Sequence, residues 1–139
     1  MGQAVWPDHD MFHSSDKFCG RMMAVSKAMS GAPIYLSDAP VDFQDNLVMP
    51  LCYSSGELLR PLAPAIPLPE SAMLSALTTP QAYRVVAPLQ HGAAAFVAYN
   101  LMHPSQAEHV TSAFTVKDYE AAGEFIQPKI KSWKAPKDG

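Results

Sequence analysis

The sequence predicts an α/β unit followed by antiparallel β structure, and three observations carry that prediction. Residues 14–38 run in the order polar loop, amphipathic helix, short apolar strand, polar loop, which is the αβ half of a parallel repeat. Residues 82–101 read as two strands around a short turn containing glycine. Between them, residues 41–70 hold five of the chain's 13 prolines, the composition of a stiff connector rather than of a helical bundle.

The elements follow in order. Residues 1–13 are dense in special side chains, and no opening strand is visible beyond Ala4–Trp6. Ser14 or Ser15 is placed to cap a helix, with Asp16 in its first turn, where a carboxylate favours the positive end of the dipole. Phe18, Met22, Val25 and Met29 recur at helical spacing and predict one apolar stripe packed in the core. Gly31 falls where a left-handed residue ends a helix, and Pro33 prevents its continuation. Ile34-Tyr35-Leu36 is suited to a buried strand, closed by Ser37-Asp38-Ala39-Pro40.

In the connector, Ser54-Ser55-Gly56 predicts a turn. Tyr83–Leu89, a turn at Gln90–Gly92 and Ala93–Leu101 then predict a hairpin, which needs further strands or a covering surface to be stable. Thr111–Val116 is the expected third strand, and Val116–Phe125 a short amphipathic segment. From Pro128 a tail carries Lys129, Lys131, Lys134 and Lys137 against Asp138 and reads as solvated. No internal repeat is present.

Composition bounds the function. A chain of 139 residues, 48% hydrophobic, can bury a core, so it is not wholly disordered; it is too short for a fold needing about 250 residues, such as a complete (β/α)8 barrel. Net charge of −3 implies no broad attraction to nucleic acid or to an anionic membrane. No stretch approaches 18 apolar residues, and the first residues lack the pattern of an export signal, which favours a cytoplasmic setting. Cys19 and Cys52 lie 33 positions apart with no metal-ligand spacing; free buried thiols are expected, and one disulfide stays open as the alternative.

The densest chemistry is Pro7-Asp8-His9-Asp10-Met11-Phe12-His13, and three readings of it stand. Asp8, His9, Asp10 and His13 are potential metal ligands, although their spacing fits no familiar site. The carboxylates can instead cap the following helix and satisfy loop amides. In the third reading an Asp at a strand's carboxyl end accepts hydrogen bonds from hydroxyls, while Trp6, Met11 and Phe12 supply an apolar platform, a combination suited to a sugar. Ser37 and Asp38 follow the second strand, where a parallel fold keeps its functional mouth, and Asp38 equally suits a turn cap. Nucleotide, serine-nucleophile and zinc-protease motifs are absent, no cofactor is expected, and His91, His103 and His109 are isolated.

Pro7-Asp8-His9-Asp10-Met11-Phe12-His13-Ser14, then Ala28-Met29-Ser30-Gly31-Ala32-Pro33-Ile34-Tyr35-Leu36-Ser37-Asp38, resembles glycoside hydrolase family 36, in the branch of raffinose synthases, seed imbibition proteins and their bacterial alpha-galactosidase relatives. The resemblance continues through Leu47–Pro50 and Gly56–Pro61 and is looser over 82–101. It implies that residues 1–45 are the last βαβ portion of a (β/α)8 TIM barrel, 46–116 part of an antiparallel C-terminal β-domain with its proline-rich connector, and 117–139 a tail. It also implies a retaining hydrolase or galactosyl transferase acting on raffinose-type oligosaccharides, whose reaction needs two nearby carboxylates. The family's K-x-D and R-x-S-D-D segments, which carry that pair, do not occur here, so no catalytic residue is assigned.

What transfers is part of a galactose subsite. Asp10 is the implied hydroxyl acceptor, Met11 an apolar wall, Asp8 a group that orients Asp10, and Ser37 and Asp38 its border. His9 stands where plant members carry Trp, which puts stacking there in doubt. The implied partners are a galactose-containing oligosaccharide and the rest of a parent enzyme, or a second copy joined through an exposed barrel edge. A free-standing carbohydrate-binding or interaction module is the alternative. Left alone, the strand at 34–36 is expected without neighbours and exposed, giving weak stability or self-association.

Overall fold

In a computed structural model, described over residues 6, 8–103, 105 and 109–126, the segment from Trp6 to Ser14 runs antiparallel along the first helix. That helix, α1, spans Gly20–Ser30. Its face toward the segment is made of small residues and one lysine. Trp6 lies against Gly31, Lys27 reaches the backbone of His9 and Asp10, Ala24 packs with Phe12, and Gly20 abuts the Ser14 carbonyl. A Cβ on Gly20 would come within 2.6 Å of that carbonyl, so only glycine allows the approach.

The apolar stripe expected at Phe18, Met22, Val25 and Met29 is a correction. It points away from this contact, with Phe18 95% exposed, and only Met29 is fully buried. Phe18, Met22 and Val25 instead border an open groove of about 720 Å³ lined on its other side by Leu77 and residues 97–102. The helix also begins later than the sequence suggested. Asp16 accepts the amides of Phe18 at 2.8 Å and Cys19 at 2.7 Å, closing a separate turn ahead of α1, and Cys19 makes no side-chain cap. The C-terminal end is as expected, with Gly31 left-handed at φ 64°.

Two short strands, β1 (Met11–Phe12) and β2 (Tyr35–Leu36), pair in parallel, Met11 with Tyr35 and Phe12 with Leu36. The strand at 34–36 therefore has a neighbour, contrary to expectation. The opening strand expected at Ala4–Trp6 lies outside the described residues except for Trp6. Nor is β2 buried: Ile34 joins the core, whereas Tyr35 and Leu36 are about half exposed at 53% and 49%. A helix on one side of a two-stranded sheet leaves the other side to solvent.

The connector is built rather than slack. A helical turn α2 (Asp45–Val48) and a 3-10 turn (Met49–Leu51) bring Leu47, Val48 and Leu51 onto Phe12 and Ala24. The turn at 54–56 forms, with Gly56 at φ 88° and its amide 2.9 Å from the Tyr53 carbonyl.

The second sheet is antiparallel, in the order β3 (Ile66–Pro67), β4 (Tyr83–Pro88), β5 (Ala94–Tyr99). The β4–β5 hairpin pairs Tyr83 with Tyr99 through Pro88 with Ala94, around left-handed His91 and Gly92. Alternation divides its faces. Val85 and Ala87 meet Met29 of α1 on one face. Val86 meets Leu68, Ala122 and Ile126 on the other, where α4 (Val116–Ala121) and α5 (Gly123–Ile126) cover the sheet. A further short helix, α3 (Pro69–Ala72), follows β3.

The third strand is thus β3, upstream of the hairpin, and not Thr111–Val116. Thr115 and Asp118 form a reciprocal capping box that commits residue 116 to α4, while Phe114 packs on Phe96 with ring centroids 5.2 Å apart. Both cysteines are free, Cys19 exposed and Cys52 half-buried, so the expectation of buried thiols fails. The lysines of the tail from Pro128 lie outside the described residues. No described helix is long and apolar enough to cross a membrane.

Candidate sugar-binding loop

The loop 8–11 is held by its own carboxylates and by α1. Asp8 accepts the Asp10 amide at 2.8 Å, the closure that lets the chain turn at Asp10. Asp10 is left-handed at φ 61°, a conformation that Asp tolerates better than most residues, and one of its oxygens accepts the Met11 amide at 2.7 Å. Its carboxylate is exposed, and Met11 beside it is 55% exposed.

Beneath the loop, the Lys27 ammonium, on a residue only 3% exposed, donates to the carbonyls of His9 and of Asp10, the latter at 2.6 Å. Burial lowers the Lys27 pKa, opposed by the negative charges of Asp10 and Asp8. His9, 3.4 Å from the Ser26 hydroxyl, is also shifted down, by burial first and then by Lys27, with Asp8 opposing.

Asp38 does different work. One of its oxygens accepts the amide and hydroxyl of Ser14, both at 2.7 Å; the other accepts those of Ser15, at 2.9 and 2.6 Å. These bonds, led by the Ser15 hydroxyl, hold its carboxyl well below the usual carboxylate range. Ser14 passes the tie onward by accepting the Gln44 amide at 2.8 Å, just before α2. Asp38 therefore staples the exit of β1 to the exit of β2, and its hydrogen-bonding capacity is occupied by protein. The reading of Asp38 as a turn-holding group is the one this geometry supports. Ser37 continues the strand pairing through its amide to the Phe12 carbonyl at 3.0 Å.

The five residues singled out in the sequence are thus not gathered at one point. Asp8, Asp10 and Met11 lie at the amino end of β1, a correction to the expected Asp at a strand's carboxyl end, and Ser37 and Asp38 follow β2, across a sheet roughly 7 Å long for two residues per strand. Of the expected apolar platform, Met11 and Trp6 are accessible, whereas Phe12 is wholly buried and is withdrawn from it. Trp6 is itself engaged, between Gly31 and the Arg60 guanidinium, which lies 5.0 Å from its ring centroid. Among the described residues no three His, Cys, Asp or Glu side chains converge as a metal site, so the four-ligand reading of Asp8, His9, Asp10 and His13 lacks a geometry.

Sequence reading missed Lys27 and gave Ser14 only as a candidate helix cap. The signal for Lys27 was present: Gly20, Ala24, Lys27 and Gly31 repeat at helical spacing on the side opposite the large apolar stripe, and three of the four are too small to exclude a buried stem.

Comparison with known proteins places this loop in context. Residues 1–83 match the family model described as raffinose synthase or seed imbibition protein Sip1. The chain is 37% identical over 73 residues to "Probable galactinol--sucrose galactosyltransferase 4" of Arabidopsis thaliana, 51% of this chain and 8% of that protein. It is 39% identical over 69 residues to the stachyose synthase of Pisum sativum, 50% of this chain and 8% of that one. It is 40% identical over 60 residues to the galactinol–sucrose galactosyltransferase of Oryza sativa subsp. japonica, 43% of this chain and 8% of the relative. The chain spans less than a tenth of the length of these curated relatives. The match over 1–83 covers more than half of the sequence, including the loop, α1 and both parallel strands: the chain belongs to the raffinose synthase or seed imbibition protein family.

Proposed function

We propose that this chain contributes part of the galactose subsite of a retaining alpha-galactosidase or galactosyl transferase acting on raffinose-type oligosaccharides, as the C-terminal portion of a larger enzyme. The observation that carries the reading is the exposed Asp10 carboxylate, held at a left-handed corner beside exposed Met11. A carboxylate that gives one oxygen to the loop keeps capacity to accept from a sugar hydroxyl, and a thioether beside it suits the apolar face of the ring. Family membership supports the substrate class, since relatives bear the names of galactinol–sucrose galactosyltransferases and stachyose synthase.

In this reading β1, α1 and β2 are the last βαβ portion of a (β/α)8 barrel, and β3–β5 belong to an antiparallel C-terminal domain. The exposed Tyr35 and Leu36 of β2 then meet the rest of the enzyme or a second copy. The catalytic carboxylates, one attacking the anomeric carbon and one protonating the leaving oxygen, come from other segments. A second reading, a free-standing carbohydrate-binding module, is favoured by one observation: the β3–β5 sheet already has both faces packed, by α1 and by α4–α5.

Titration of the pure chain with D-galactose, followed by amide shifts, tests the subsite. The Asp10 and Met11 signals are expected to move, Asp10→Ala to abolish the response, and an aryl alpha-galactoside to remain uncleaved. A response unchanged in Asp10→Ala removes Asp10 from the subsite, and turnover by the chain refutes the absence of a catalytic pair.

A further inference from the structure

We infer that Lys27 is the positioning residue of this loop: its buried ammonium, bonded to the His9 and Asp10 carbonyls, fixes the left-handed turn that presents the Asp10 carboxylate. The inference deepens the subsite reading and rests on it for its functional meaning.

Lysine is seldom buried, and this one, in the last turn of α1, is 3% exposed. Its charge is met by two backbone carbonyls, with Asp8 and Asp10 near enough to be felt. Carbonyls that accept from an ammonium lie on the same side of the chain, which constrains the peptide planes on either side of the Asp10 α-carbon. A left-handed non-glycine residue is strained, and it persists where its surroundings over-determine it.

Here three bonds converge on one residue. Its amide goes to Asp8 at 2.8 Å, its carbonyl to Lys27 at 2.6 Å, and its side chain to the Met11 amide at 2.7 Å. Of these three, the bond to Lys27 is the one that comes from outside the loop. The neighbouring α1 side chain Ser26 meets His9, adding a second and weaker point of attachment at 3.4 Å. Ala24 and Gly31, three residues before and four after Lys27, pack on the same segment, against Phe12 and Trp6.

The experiment uses the full chain with Lys27→Met, which keeps the stem and removes the charge, and Lys27→Arg, which keeps the charge. In the unmodified protein the strong intraresidue Hα–HN contact of a positive φ is expected at Asp10. Lys27→Met should lose it, while the amide signals of the β4–β5 hairpin stay in place and report an intact fold. Lys27→Arg should restore it. The His9 titration midpoint should rise in Lys27→Met, since the neighbouring positive charge is gone while Asp8 remains. Galactose binding should weaken about tenfold in Lys27→Met, the worth of one charge-assisted hydrogen bond.

Retention of the Asp10 contact in folded Lys27→Met overturns the clamp. Should Lys27→Met not fold, the unmodified chain decides: slow exchange of the Lys27 ammonium protons with water supports the clamp, and fast exchange overturns it. A failure of the unmodified chain to bind galactose refutes the subsite reading, while the Asp10 contact still judges Lys27.

Discussion

The β1–α1–β2 unit and the β3–β4–β5 sheet meet at Met29, yet they are held by different means. The sheet is an alternating hairpin with apolar residues on both faces, covered by α1 on one side and by α4 and α5 on the other. The parallel unit has a smaller core of Phe12, Ala24 and Leu51, and its loops are tied by charged groups to hydroxyls and backbone: Asp8 to Asp10, Lys27 to His9 and Asp10, Asp16 to Phe18 and Cys19, Asp38 to Ser14 and Ser15. A sheet packed on both faces tolerates any sequence that keeps volume and alternation. A loop held by charge-assisted hydrogen bonds requires particular residues at particular places. That difference explains why the recognisable motifs of this chain, Asp8–Ser14 and Gly31–Asp38, lie in the parallel unit.

The largest effects should come from the cores. Phe12→Ala is expected to cost about 3–5 kcal/mol and Leu68→Ala about 2–5 kcal/mol, both residues being essentially inaccessible. Native-state hydrogen exchange locates each loss: Phe12→Ala should release the amides of α1 and β1 first, and Leu68→Ala those of the hairpin. Equal loss of protection in both regions from either substitution would show that the two units are one cooperative body.

Acid separates the regions in a second way. Hydrogen bonds from Ser15 and Ser14 depress the Asp38 carboxyl in the folded chain, so its stabilising contribution is complete above the unfolded-state value of about 3.9 and is lost as pH falls towards the folded-state value. Asp16, depressed by the amides of Cys19 and Phe18, has the same sign. Protection at Ser14 and Ser15 should therefore fall below about pH 4, before that of Val85 and Val86, and Asp38→Asn should flatten this dependence. An unchanged acid profile in Asp38→Asn would mean that the staple adds nothing to stability.

The smallest effect belongs to the hairpin turn. His91 is left-handed at φ 58° with no loop-closing role comparable to that of Asp10. His91→Gly should relieve strain and stabilise the sheet by up to about 1 kcal/mol, raising the melting temperature slightly. A lower melting temperature would show that the imidazole makes a contact worth more than the strain.

Much of the fold was legible in the sequence. The helix end at Gly31, the strand at 34–36, the turn at 54–56 and the hairpin at 83–99 follow from glycine, proline and periodicity, which act within a few residues. The errors share one cause. Phe18 and Met22 have the spacing of a buried stripe, but burial depends on what lies opposite, and Trp6–Ser14 docks on the other side of the helix. Thr111–Val116 has strand composition, but the position beside β4 is already taken by β3.

By itself, then, the sequence determined the local grammar and the absence of the K-x-D and R-x-S-D-D segments, and its resemblance pointed to Asp8, Asp10, Met11, Ser37 and Asp38 as candidates. Only the tertiary structure assigned those residues different tasks. Asp38 spends its lone pairs on Ser14 and Ser15, Asp8 closes the loop through one oxygen, and Asp10 presents an exposed carboxylate at a turn secured by a lysine 17 residues away in the chain. Nothing in a carboxylate's identity says which donors surround it. Those donors arrive from α1 and from the strand exits, brought within hydrogen-bond distance by packing between segments that are remote in sequence.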